Sequence, residues 1–279
     1  MTDTIAHRSR ILTTPWPGIY VVQTRSGHRF PKHWHDSYGL GLMESGAHRS
    51  ASGRGQVEAF AGDVIASNPG EVHDGRPLGV EMRSWRMLSI EQPAMALATA
   101  GTACDSEIAH PVIRDPLVSR AVTRLFHCLE RWTAEQGMNS IHALACEEAL
   151  VETCVLVMSR HATARAAPDA PARELRVVRE RLAAESIRPP TLGELAAMTR
   201  LSKFQLLRHF RRAYGLPPHA WLLHRRAERA RALIRDGSSL ASAAAQCGFS
   251  DQSHMTRVFV RQYGFTPGAW RAATHGRVQ

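Results

Sequence analysis

One pattern, written twice near the C-terminus, constrains this 279-residue chain more than any other feature. Leu192 aligns with Leu240, Leu201 with Phe249, Phe210 with Phe259, Tyr214 with Tyr263, Gly215 with Gly264, Pro218 with Pro267 and Trp221 with Trp270. The offset is 48 residues up to the turn and 49 beyond it, so the second copy carries one extra residue at the start of its second helix. A pattern repeated at fixed spacing is one supersecondary unit used twice. Helical apolar spacing predicts a helix over 192–198, a turn through Thr199-Arg200-Leu201 and a helix over 202–214. The second copy predicts helices over 240–246 and from the Cys247-Gly248-Phe249 turn to about 263. Thr191 followed by Glu194 forms a capping box at the first helix, and a long helix over 219–235 joins the copies.

Charge separates this region from the rest. Residues 172–279 hold 19 Lys and Arg against 7 Asp and Glu, whereas residues 1–171 hold 16 against 18. A composition-wide preference for Arg would not leave the first part near neutral. The excess therefore points to a polyanionic partner for the repeat-bearing part alone. The five cysteines, Cys104, Cys128, Cys146, Cys154 and Cys247, form no CxxC pair, which argues against a disulfide framework or a structural zinc site and fits reduced thiols. No leader-like segment and no run of about 18 apolar residues is present, so a cytoplasmic protein without membrane contact is expected.

The expected fold class is α+β in two domains. Residues 18–110 alternate short apolar segments (19–24, 38–44, 56–60, 63–67, 83–90) with turns such as Asn68-Pro69-Gly70, as an antiparallel β-barrel or jelly roll would. Amphipathic helices over 116–136 and 141–161 complete a first domain, 1–161. The broad apolar stripe of the second helix suits packing on the barrel or pairing with another copy. Residues 162–172, rich in Ala and Pro, read as a linker, and 173–279 as an all-α domain with its two helix-turn-helix units at about 192–214 and 240–263.

Such a unit needs small residues where its helices cross and apolar anchors in the second helix. Ala243-Ala244-Ala245 with Phe249, Met255 and Phe259 meet that need in one copy, and Leu195-Ala196 with Leu201, Leu206 and Phe210 in the other. Lys203, Gln205, Arg208, Arg211 and Arg212 are left on the first outer face, and Asp251, Gln252, Thr256, Arg257 and Arg261 on the second. Gln and Arg suit base edges in the major groove, and Arg further along suits phosphate. A connector of about 17–20 residues is about 25–30 Å long. That is near the ~34 Å repeat of the major groove, so both helices can enter adjacent grooves of one duplex. A plain helical scaffold repeat is the competing reading, but it needs three or more units and lacks the basic bias.

The run from Cys247 to Phe259, continuing through Gly264-Phe265-Thr266-Pro267 to Trp270-Arg271, resembles the C-terminal signature of the AraC/XylS family of transcriptional regulators. His33-Trp34-His35-Asp36, Gly62-Asp63 and Pro69-Gly70-Glu71-Val72-His73 resemble the cupin-like effector domain found in many members. The resemblance implies a DNA-binding regulator, not an enzyme, with double-stranded DNA, a small-molecule effector, RNA polymerase and a second copy of itself as partners. It implies base-facing positions at Phe204, Leu207 and Arg208, and at Asp251, Gln252, Thr256 and Arg257. The chain departs from the family in carrying Trp221 and Trp270 where Tyr is common, and Val260 where a basic residue is common.

His33, His35, Tyr38, His73 and Trp85 are the effector-pocket candidates. His33 and His35 project from one face of a strand, and His73 sits in a motif that a cupin-like barrel brings near them. Three imidazoles in a barrel can hold a divalent metal. Gly39 and Leu40 stand where enzymatic cupins place an acidic ligand, so no metal or other cofactor is expected. A metal-dependent cupin enzyme fused to a DNA-binding module is the alternative. A methyl-accepting repair protein would need clustered cysteines before Cys104, and the chain has none there.

Overall fold

The computed structural model describes residues 7–79, 82–101, 106–135, 140–164 and 170–275. The chain forms two compact units, one of Met1–Arg29 with His35–Arg165, the other of Phe30–Trp34 with Ala166–Gln279. The first begins with β1 (His7–Thr13) and β2 (Ile19–Ser26); β3 (Phe30–His33) belongs to the second. It continues with β4 (Ser37–Ser45), β5 (Ala47–Ser52), β6 (Gly55–Phe60), β7 (Val64–Ser67), β8 (His73–Pro77) and β9 (Arg83–Glu91). Then come α1 (Gln92–Ala98), β10 (Ser106–Ile108), β11 (Val112–Ile113), α2 (Pro116–Ala134), α3 (Ser140–His161) and β12 (Ala162–Ala164).

Strands β1-β2-β9-β4-β7-β11 form one sheet in that order, and β8, β5 and β6 are neighbours in another. The strands of the expected barrel or jelly roll form separate sheets with no closed barrel among the described residues. Alternation along β4 explains the layering: Tyr38, Leu40 and Leu42 share one buried core with Leu88 and Ile90 of β9, Phe126 and Leu129 of α2, and Leu150, Cys154 and Val157 of α3. The other face of β4 carries glycine where strands run close. A Cβ on Gly41 would lie 2.8 Å from Ile65 Cγ1 and 2.9 Å from the Arg86 carbonyl oxygen.

α2 and α3 fall within a few residues of the expected ranges. Asp115 caps α2 through Leu117 N at 2.9 Å, and its second oxygen takes Arg160 Nε at 2.8 Å and His161 Nε2 at 2.9 Å. The expected linker 162–172 is only partly irregular. Ala162–Ala164 pairs antiparallel with β10, because short side chains leave the backbone open to an edge partner, and residue 170 already opens a helix. The rest of that linker and Cys104 lie outside the described residues.

The second unit is helical: α4 (Ala170–Ala184), α5 (Leu192–Met198), α6 (Lys203–Tyr214), α7 (Pro218–Arg235), α8 (Leu240–Gln246), α9 (Gln252–Tyr263) and α10 (Pro267–His275). The duplication is visible residue by residue. Thr191 and Ser239 cap α5 and α8, and Ser202 and Asp251 cap α6 and α9. Gly215 and Gly264 end α6 and α9 in the left-handed conformation that glycine adopts without strain. The extra residue of the second copy is Ser250, in the turn just before the Asp251 cap. Phe210 and Phe259, both fully buried, stack at a tilt on Tyr214 and Tyr263 at 4.6 and 4.5 Å. No described helix is long and apolar enough to cross a membrane.

Candidate nucleic-acid interface and ligand fold

The buried stripe of α6 is Leu206 and Phe210, which turns Lys203, Phe204, Leu207, Arg208, Arg211 and Arg212 outward. Phe204 is 73% exposed, on the same face as the cations. Gln205 Oε1 accepts from Ser202 N at 2.9 Å in a capping box, which holds this side chain at the start of the helix. The four cations Lys203, Arg208, Arg211 and Arg212 have no hydrogen-bond or ion-pair partner among the described residues.

On α9, Met255 and Phe259 turn inward, leaving Gln252, Arg257 and Arg261 exposed and Thr256 half-buried beside them. Val260 is exposed on the same helix. Asp251 is committed locally: Oδ1 accepts from His254 N at 2.7 Å and Oδ2 from Ser250 Oγ at 3.1 Å. The His254 and Ser250 bonds hold its carboxyl below the usual range, with Arg257 adding to the effect. The outer face of α9 thus presents Gln252, Thr256 and Arg257, with a capping carboxylate behind them. The connector α7 spans 18 residues, about 27 Å at 1.5 Å each.

In the ligand fold the pocket candidates divide. Tyr38 belongs to the core shared with the helices, and its hydroxyl donates to Ser106 O at 3.1 Å. The rings of His35 and His73 lie 5.6 Å apart. His33 Nδ1 is 2.7 Å from Pro31 O and His73 Nδ1 is 2.9 Å from Glu71 O, which orients each ring through its Nδ1–H and leaves Nε2 with its lone pair. Burial lowers the His73 pKa, keeping the ring neutral.

Trp85 lies in a cluster that sequence reasoning missed. Arg83, fully buried, donates through Nε to His48 Nδ1 at 2.9 Å and through Nη1 to His28 O at 3.1 Å, and sits 4.9 Å from the Trp85 ring centroid. Burial drops the Arg83 pKa to about 10, and burial first, then the Arg83 charge, pulls His48 down to about 3. A neutral His48 is the acceptor that Arg83 requires. The available signal was the alternation Arg83-Ser84-Trp85, which puts Arg83 and Trp85 on one face of β9.

An N-terminal sheet fold with packed helices, followed by a tandem helix-turn-helix with basic outer faces, defines a one-chain transcriptional regulator with a ligand-binding domain. Residues 17–152 match the family model described as the AraC-like ligand binding domain, and residues 195–273 match the helix-turn-helix domain model. The chain belongs to the AraC family of transcriptional regulators. It is 28% identical over 238 residues to the uncharacterized regulator YbfI of Bacillus subtilis, covering 81% of this chain and 82% of that one. It is 32% identical over 130 residues to the transcriptional activator RhaR of Klebsiella pneumoniae, 46% of each chain. The structure of ToxT from Vibrio cholerae with an unsaturated fatty acid bound superposes with a TM-score of 0.52 at 14% identity, covering 100% of this chain and 98% of that one. That likeness is one of fold.

Proposed function

We propose that this protein binds one directional DNA site by placing α6 and α9 in adjacent major grooves, and that a small molecule in the N-terminal fold controls the binding. The observation that carries this reading is the pair of capped, outward-facing basic helices joined by the 18-residue α7. Arg208 and Arg257 serve as the principal polar readers, Phe204 and Leu207 meet thymine methyl groups, Gln252 and Thr256 meet base edges, and Lys203, Arg211, Arg212 and Arg261 meet phosphates. Asp251 sets the start of α9. His35, His73 and Trp85, with His48 and Arg83, border the effector site. The protein acts in the cytoplasm by presenting RNA polymerase with a bound regulator, and catalysis forms no part of this reading.

The exposed stripe Ile141, Leu144, Val151 and Val155 on α3 supports pairing with a second copy. A monomer at micromolar concentration in sedimentation would remove that element. The whole reading is tested by recovering bound genomic DNA and measuring affinity for the enriched site. Arg208→Ala and Arg257→Ala are each expected to weaken it by about 1–3 kcal/mol. Unchanged affinity in both variants would overturn the adjacent-groove arrangement.

A further inference from the structure

The segment Phe30–Trp34 lies within the residues matched by the ligand-binding model, yet it packs as part of the helical unit. Trp34 is 4% exposed, stacked on Trp221 at 5.8 Å and 20°, with the His224 ring at 6.5 Å on the same side of α7. Its carbonyl oxygen accepts from Gln262 Nε2 at 3.0 Å. That amide nitrogen is also 3.2 Å from Glu228 Oε1, so one side chain of α9 ties together α7, α9 and the segment.

The duplication shows why the segment is there. In the second copy Trp270 stacks on Phe265 at 6.1 Å and 28°. The residue of the first copy that aligns with Phe265 is Leu216, which offers no ring. Trp34 supplies it: the Trp34–Trp221 pair reproduces the Phe265–Trp270 geometry with a ring from elsewhere in the chain.

We propose that Phe30–Trp34 is an intramolecular clasp that completes the first repeat and fixes α9 against α7, with Trp34 as a positioning residue for sequence-specific DNA reading. The clasp holds the spacing of the two readers while touching no DNA itself. It is drawn from the stretch of chain that makes the ligand-binding fold, so it gives that fold a covalent route to the second reader besides the one after residue 164.

The proposal rests on DNA reading by α6 and α9, and the test separates the two. Full-length protein is titrated against its selected site and against random-sequence duplex. Failure of the parent to prefer its site refutes the DNA reading itself. With that preference present, Trp34→Ala is expected to bind the selected site about tenfold more weakly and random duplex within twofold of the parent, because a lost spacing penalises two-groove reading and leaves phosphate contacts intact. Trp34→Phe, which keeps a ring on Trp221, is expected to recover most of the loss. Selected-site affinity within twofold of the parent for Trp34→Ala, an increase, or an equal loss on both duplexes overturns the clasp. Should Trp34→Ala not fold, Gln262→Met removes only the bond to the clasp. It is expected to weaken selected-site binding about threefold and to speed amide exchange around residue 34, and no change in either overturns the proposal.

Discussion

The two turns of the tandem repeat solve one backbone problem with different residues, and exchanging the solutions gives a quantitative test. Arg200 in the first turn and Gly248 in the second stand at aligned positions, with φ of 53° and 75°. A side chain in the left-handed region is disfavoured by about 1–2 kcal/mol. At Gly248 there is also no room: an added Cβ would lie 2.9 Å from Ile187 Cα and 3.1 Å from Arg226 Nη2. Arg226 cannot simply withdraw, since Nε donates to Ser186 O at 2.7 Å and Nη2 to Ile187 O at 3.3 Å. Displacing the weaker of these bonds adds about 1 kcal/mol. The unfolded chain becomes stiffer with alanine, which returns about 0.4–1 kcal/mol. Gly248→Ala is therefore expected to destabilise the helical unit by about 2 kcal/mol, near 8 °C in melting temperature for a unit of this size. Arg200→Gly relieves strain and loosens the unfolded chain by similar amounts, so its stability should fall within about 0.5 kcal/mol of the parent. Urea unfolding followed by far-UV circular dichroism reads both. A Gly248→Ala protein within 0.5 kcal/mol of the parent would show that the turn relaxes freely and would refute the reasoning.

Phe210→Ala and Phe259→Ala each empty a fully buried ring site, so each should lower stability by about 3–5 kcal/mol in the same unfolding assay; a loss below 1 kcal/mol in either would mean that copy has no packed core. Acid should weaken the ligand-binding unit through His48. Its folded pKa of about 3 lies below the ordinary 6.5, so its contribution is complete above pH 6.5 and is lost as pH falls from there toward 3. The urea midpoint should drop between pH 7.5 and pH 5, and His48→Gln, which keeps an acceptor for Arg83, should flatten that slope; an unaltered slope would place the titration elsewhere. Asp115→Ala removes the α2 cap and the acceptor for Arg160 and His161 together, and should lower the urea midpoint more than Arg160→Ala does. Equal midpoints would show that the cap is idle.

The helical half could be read closely from the chain because helix signals are local. Capping residues, anchors four apart and a terminal glycine all lie within one or two turns of what they specify, so the 192–198 and 240–246 helices coincide with α5 and α8. The strands that apolar alternation reveals, such as β2, β4 and β9, were legible for the same reason. β5 was not: every residue of Ala47–Ser52 is half-buried, so it carries no alternation. Its place is fixed by β6 and β8, with His48 opposite Pro77. The same non-locality hid the Arg83–His48 contact, which depends on two strands 35 residues apart. The packing of Trp34 was hidden for a sharper reason. Its motif marks a ligand-binding fold, whereas its ring completes a repeat nearly 190 residues later, and only the missing aromatic at Leu216 hints at that.

The departures between the two copies bear most on DNA reading. Both second helices have twelve residues, buried anchors at the aligned positions Leu206/Met255 and Phe210/Phe259, and the same glycine end, so the scaffold is closely matched. What differs is the face. α6 presents Phe204, Leu207 and four cations behind a neutral Ser202 cap, while α9 presents Gln252, Thr256, Arg257 and Arg261 behind an ionised Asp251. A negative charge at the N-terminal end of a helix suits the helix dipole but repels a phosphate brought to that same end. In the proposed reading the first copy would carry most of the salt-dependent attraction and tolerate apolar edges, and the second would discriminate by hydrogen bonds with less electrostatic support. A site read this way has a direction. Reversing it would bring thymine methyls to the polar face and base-edge acceptors to Phe204, so one chain needs no palindrome to fix its orientation on DNA.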